Sequence, residues 1–326
     1  MNRLETRGVL LFLALAALAP LVITDQFFIH VMVMVFFYAI LASSLNLTVG
    51  FVGELSLGHA AFLGIGAYAS AILSTEYGLP ALACIPVAGL LAALAGLVIG
   101  LITLHLEGHF FVLITLAFAE VLRLIVNNWI EVTRGPLGFS SIPPPRLSIG
   151  GHVLMDFSSR VQFYYLALAV LAVTIGVVLL YAQSAFRVGA VAVRENRRLA
   201  KAVGIDPFRQ ALLTFVIGAF LAGMAGSFYA HYITFVGPEV FGFSFMVTML
   251  MMVALGGKGT VLGPLLGALL IGVALEYLRF INEIRLSVFG ILLILVTMYL
   301  PQGAIGLLAW RRMRKAGIVK VSAVTR

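Results

Sequence analysis

The side chains able to do chemistry are few in this sequence, and their spacing decides what they can do. His105-x-Glu107-x-His109 is the most enzyme-like cluster. On a helix the two histidines would share a face, while Glu107 would point elsewhere. The order differs from the HExxH of zinc proteases and no third ligand is evident, so the cluster argues against a metal site. No GxSxG elbow is present. Gly257-Lys258-Gly259-Thr260 lacks the spacing with which a P-loop cradles phosphates, so any ATP hydrolysis must come from another chain. Cys84, the only cysteine, lies in an apolar run and reads as a small buried hydrophobe, with no disulfide framework. The chain therefore reads as a non-enzyme that binds no metal or cofactor of its own.

Other polar groups sit inside apolar runs, where an ionisable side chain is costly unless it is paired or meets water. Glu120 and Arg123, three apart on one helical face, read as an intramembrane pair serving either charge neutralisation or gating. Glu276 lies deep in a later apolar run. Between Gly50 and Tyr68 glycine recurs every few residues, and this stretch carries Gly53, Glu54, Ser56, Gly58 and His59, with Ser43, Ser44 and Asn46 just upstream. Such spacing lets helices approach closely, or lets a helix break and expose backbone beside a path through the membrane. A second run, Gly256 to Gly267, holds Gly256, Gly257, Gly263, Pro264 and Gly267, and loosely echoes the first.

The elements that position these groups follow from composition. Of 326 residues 62% are hydrophobic and 10% charged, whereas soluble domains run at about 45–50% and 25%. An ordinary soluble fold and intrinsic disorder are both excluded. Apolar runs of about 17–25 residues match the ~20 needed to cross ~30 Å of hydrocarbon, and they lack the alternation of a β-barrel. They fall near 8–24, 27–49, 57–74, 81–104, 110–130, 163–182, 209–233, 241–257, 261–278 and 288–309. The expectation is an all-α bundle of ten transmembrane helices forming one transmembrane domain, 1–326. The first run resembles a cleaved signal peptide but reads better as a retained helix, since nine more follow.

Ten spans with a cytoplasmic N-terminus put both termini inside. That side then receives fifteen of the 21 Lys and Arg, including the basic tail 310–326, against five outside, with Arg123 inside a span. This bias accounts for the net charge of +8 as membrane orientation rather than nucleic-acid binding. Two connections are long: an outer loop, 131–162, with Pro143, Pro144 and Pro145, and an inner loop, 183–208. The inner loop reads as a helix over Val188–Val203, a left-handed cap at Gly204, then Asp206 and Pro207 as N-cap and first residue of the next span. A basic helix there suits either lipid headgroups or docking into a groove of a soluble partner, through Arg194, Glu195, Arg197 and Lys201 and small apolar residues such as Ala202.

Several stretches in one order resemble the LivM-type permeases of ABC importers for branched-chain amino acids, over about residues 28–309. They are Leu45-Asn46-Leu47 with Gly50; Gly53 through Phe62; Thr115-Leu116-Ala117-Phe118; Asn127-Asn128-Trp129; Ile142-Pro143-Pro144-Pro145; Ala225 through Tyr232; Gly256 through Gly267; and Pro301-Gln302-Gly303 before a basic tail. The resemblance implies a multi-pass subunit of the bacterial inner membrane. Its partners would be a second, LivH-type permease, two cytoplasmic ATPases that carry the ATP-Mg, and a periplasmic amino-acid-binding protein. It also implies that Arg194, Glu195, Arg197, Lys201, Ala202 and Gly204 form the ATPase-coupling segment. Where the family often has an acidic pair after Arg-Glu, this chain has Asn196-Arg197-Arg198, which suits a more acidic ATPase surface. Leucine, isoleucine and valine are the implied substrates. Similar permeases carry urea or short amides, and a secondary transporter is the remaining alternative, for which the mid-span carboxylates are few.

Overall fold

Small residues on helix faces set how closely this chain packs. The computed structural model describes residues 3–23, 25–106, 108–149, 152–157, 159–277, 290, 291, 294, 298 and 303–306. At its centre is α10 (Pro207–Ile233), packed against α3 (His59–Thr75) and α4 (Ala81–Thr103). A Cβ at Gly223 would strike Ala92 of α4, and one at Gly226 the Leu63 carbonyl of α3. Backbone therefore meets backbone across both crossings. On the other side α2 (Gln26–Asn46) packs against α10, α7 (Arg160–Gln183) and α12 (Leu262–Tyr277), and α11 (Phe243–Gly256) pairs with α12. The first helix, α1 (Arg3–Val22), rests on α7, where the Tyr164 hydroxyl donates to the Ala16 carbonyl at 2.5 Å.

The fifth helix, α5 (His109–Asn128), stands at the edge. It buries Phe111, Thr115, Ala119 and Val126 against its neighbours and leaves the opposite face exposed. Beyond it come the short α6 (Ile130–Thr133) and a few strands. β1 (Phe139–Ser140) pairs antiparallel with β4 (Phe235–Val236), and β2 (Arg146–Ile149) with β3 (His152–Asp156). Thus the loop expected over 131–162 contains a hairpin and half of a second small sheet, and the other regular elements among the described residues are helical apart from β4. His231 ties this loop to the bundle: Nδ1 lies 2.7 Å from the Pro143 carbonyl and Nε2 2.9 Å from Ser70 Oγ.

Among the described residues, five helical segments are long and apolar enough to cross a membrane: Gln26–Val52, Ala81–Thr103, His109–Asn128, Arg160–Gln183 and Pro207–Ile233. Gly8–Val22, α3, α11 and α12 are apolar but shorter. The tenth apolar run, 288–309, lies largely outside the described residues, and the tail 310–326 lies wholly outside them.

The helix expected over Val188–Val203 is two helices, α8 (Ala185–Glu195) and α9 (Arg197–Ala202). Asn196 is extended and its side chain accepts from Leu199 N at 3.0 Å, so it caps α9 instead of continuing α8. The downstream boundary is as expected. Gly204 has φ +85°, and Asp206 accepts from the amides of Phe208 and Arg209 ahead of Pro207 at N1.

Candidate coupling and gating site

Two breaks in regular structure meet at the α8–α9 end of the bundle. The first follows α2. A π-helical turn, Leu47–Val52, ends at Gly53 in the left-handed region, φ +85°, and α3 starts only at His59. The second joins α11 to α12 through Gly257, φ 124°, and Gly259, φ 70°. Thr260 staples this turn, donating from Oγ1 to the Gly257 carbonyl at 2.9 Å and accepting from Gly263 N at 3.1 Å.

Asn46 joins the two breaks. Its Nδ2 donates to the Thr260 carbonyl and its Oδ1 accepts from Gly259 N, both at 2.9 Å, and the side chain is fully buried. Close packing leaves no room for a Cβ at Gly50, which would overlap the Asn46 amide and Gly259 N. Gly256, Gly263 and Gly267 are equally tight: a Cβ would collide with the carbonyls of Gly263, Gly257 and Met252 respectively. Pro264 is buried in the first turn of α12, where no intrahelical N–H is lost.

The α8–α9 segment grips this junction. Arg194 donates from Nη1 to the Gly50 carbonyl at 2.6 Å, while Nη2 lies 2.8 Å from Glu195 Oε1. Arg197 pairs with Glu54 at 3.3 Å, with both side chains mostly buried. Beside them the Cγ of Arg194 lies so near Gly53 that a Cβ there would come within 2.6 Å. Lys201, Ala202 and Gly204 are exposed, with Leu199 and Val203 beside them at 65% and 75% exposure. The segment thus has an inner face, where Arg194 holds the Gly50 backbone and Arg197 the Glu54 carboxylate, and an exposed outer face. Between them a cavity of about 400 Å³ is lined by Leu104, His105, Arg197, Arg198, Lys201, Asp206, Pro207 and Phe208.

The segment after Gly53 leans on α5. Leu57 N donates to Thr115 Oγ1 at 3.2 Å, and Gly58 abuts the Thr115 carbonyl. His59 Nε2 lies 2.8 Å from Ser44 Oγ. Its Nδ1 and the Ser56 hydroxyl are buried with no hydrogen-bond partner among the described residues. Asn46, Ser56, Gly58 and His59 are therefore enclosed by the chain, where they bridge or touch neighbouring segments.

Other expected residues lie apart from this junction. Glu120 and Arg123 form the anticipated i,i+3 pair, with Arg123 Nε 2.9 Å from Glu120 Oε2, on the exposed face of α5. A lone charge at the bilayer centre costs about 2.5–3.5 kcal/mol on insertion scales, and pairing relieves part of that. Glu276 is buried 3.8 Å from His30 Nε2, whose Nδ1 lies 2.6 Å from the Tyr232 hydroxyl, near the start of α2. His105 stacks on Phe208 at 4.3 Å in the turn after α4, and His109 opens α5, so the two histidines do not share one helix. Glu107 lies outside the described residues. The sequence reading missed the contacts of Asn46 with Gly259 and Thr260 and of Arg194 with Gly50. The available signal was a lone amide at the end of a long apolar run, two residues after a pair of serines.

Comparison with known proteins bears on this arrangement. The family model described as branched-chain amino acid transport system / permease component matches residues 27–297. The high-affinity branched-chain amino acid transport system permease protein LivM of Escherichia coli K12 is 35% identical over 302 residues, covering 87% of this chain and 71% of that protein. LivM of Salmonella typhimurium LT2 is 35% identical over 311 residues, with 90% and 73% covered. LivH of Escherichia coli K12, likewise a high-affinity branched-chain amino acid transport system permease protein, is 27% identical, with 82% and 91% covered. No solved structure matches the chain.

Proposed function

This chain belongs to the family of permease components of branched-chain amino acid transport systems, and from that premise we propose that it is a membrane-spanning subunit of an ATP-driven importer of leucine, isoleucine and valine. The full assembly would contain a second, LivH-type permease, two cytoplasmic ATPases that bind ATP-Mg and a periplasmic binding protein that hands over the substrate. In this reading the chain crosses the bacterial inner membrane ten times with both termini in the cytoplasm. Its charge distribution supports that orientation, since it places the Arg187–Arg209 cluster and the basic tail on one side. The branched-chain names of the relatives support the substrate over urea or short amides.

One observation carries the mechanism: the loop open to a partner is the loop that holds the broken helices. On ATP binding the ATPases press on Leu199, Lys201, Ala202, Val203 and Gly204. The short α8–α9 pair moves as a lever, and Arg194 and Arg197 pull on Gly50 and Glu54. Asn46 passes the displacement to Gly259 and Thr260, so both glycine-rich breaks shift together. Alternating access requires such a two-state element, one whose balance the partner can bias.

The test is reconstitution with the second permease and the two ATPases encoded beside it, followed by ATPase assay with binding protein loaded with leucine or with urea. Stimulation by the leucine-loaded protein alone is the expected result. A reversed preference would move the chain to amide import, and failure to assemble with any ATPase would refute the importer reading.

A further inference from the structure

The edge helix α5 carries the one exposed ion pair found in the middle of a span among the described residues. Glu120 is the twelfth of its twenty residues, about 16 Å along a helix of about 30 Å. Its side chain is 52% exposed and that of Arg123 36%. Leu113, Ala117, Glu120 and Leu124 recur at helical spacing along this open face. By contrast α4 opens Leu90, Leu94 and Leu101, all apolar, as a surface solvated by acyl chains should be. Ionised groups at mid-depth face protein or water rather than lipid, so the two helices do not share a solvent.

We propose that the exposed face of α5 is the seam with the second permease subunit, and that Glu120 and Arg123 sit within that seam beside the translocation path. Similarity to both LivM and LivH proteins supports the occupant, because a second permease of this family would share the fold. Two chains of one fold commonly pair through the same patch of each. A seam of α5 against its counterpart would place Glu120 and Arg123 near the pseudo-two-fold axis, where a path between the subunits would run. Ala117, one turn from Glu120, leaves room for close approach of a second helix. The inference rests on the importer reading, which supplies the second permease.

Its test is photo-crosslinking in the full complex in native membranes. A benzophenone side chain is placed at Leu113, Ala117 or Leu124 of α5, and at Leu94 or Leu101 of α4 as the comparison. Ultraviolet light should yield an adduct with the second permease from the α5 sites and none from the α4 sites. Adducts from α4 only, adducts from α5 to lipid alone, or adducts between two copies of this chain, in complexes where the second permease co-purifies, would overturn the seam while leaving the importer intact. If the second permease never co-purifies, both inferences fall. Scoring is confined to variants that co-purify with the ATPases, and three α5 positions guard against one that does not fold.

Discussion

Asn46 is the residue on which the junction depends. Its amide hydrogen-bonds both Gly259 and Thr260 from the end of α2, and it is fully buried. Asn46→Ala would leave a backbone N–H and a carbonyl without that partner in the interior. Each such orphan costs about 1–3 kcal/mol, so the expected loss is about 2–4 kcal/mol once some relaxation is allowed. Thermal unfolding of the purified complex should show it as a lower midpoint. Asn46→Asp keeps the acceptor for Gly259 N but loses the donor to Thr260 and adds a buried charge, so it should be no milder than Ala. Gly50→Ala offers an independent check, because its methyl would occupy the space of the Asn46 amide. If Asn46→Ala matches the parent in both midpoint and uptake, the joint between the two breaks has no mechanical role.

In the proposed mechanism the α8–α9 segment is the lever, and its pairing with the turn after α2 can be tested by exchange. Arg197→Glu sets two carboxylates against each other at Glu54, and should leave ATP hydrolysis running while uptake falls. Combined with Glu54→Arg, the exchanged pair should recover part of the uptake. A double-mutant cycle on Glu54→Gln and Arg197→Gln should give a coupling of about 0.5–3 kcal/mol, whatever other contacts either residue makes. Gly204→Val should uncouple in the same way: space around the site is open, but φ of +85° strains a β-branched residue. Much of this element was legible in the sequence. Gly204 and Asp206 act through bonds to residues two or three positions away and Pro207 through its own fixed φ, so their capping chemistry is local. The break at Asn196 was not, because an asparagine amid helix formers is tolerated as often as it caps. Nor was the direction of Arg194 and Arg197. Their partners, Gly50 and Glu54, lie more than a hundred residues back, and only the packed bundle brings them together.

At the scale of the whole molecule, helix length and helix breakage are one problem. Helices α3 and α11, with 17 and 14 residues, span about 21–26 Å, less than the ~30 Å of a bilayer core. The irregular backbone that completes them would be intolerable against lipid, where no water satisfies it. Here Ser56, Gly58, Gly256 and Gly257 are enclosed by the chain, and the polar backbone around them bonds to Asn46, Thr115, Thr260 and Arg194. The breaks therefore lie among packed segments at the α8–α9 end of the bundle, so a push on α8–α9 is felt at the junction first. That order requires the α8–α9 end to face the ATPases in the cytoplasm and the strand-bearing end to face the other way. Single cysteines decide it, since Cys84 is buried and gives little background. Leu137→Cys, at a site 82% exposed, should react with a membrane-impermeant maleimide in spheroplasts. Val203→Cys, at a site 75% exposed, should react only after the membrane is opened. The reverse pattern would place the lever on the side where no ATPase can reach it, and the coupling mechanism would fail with the orientation.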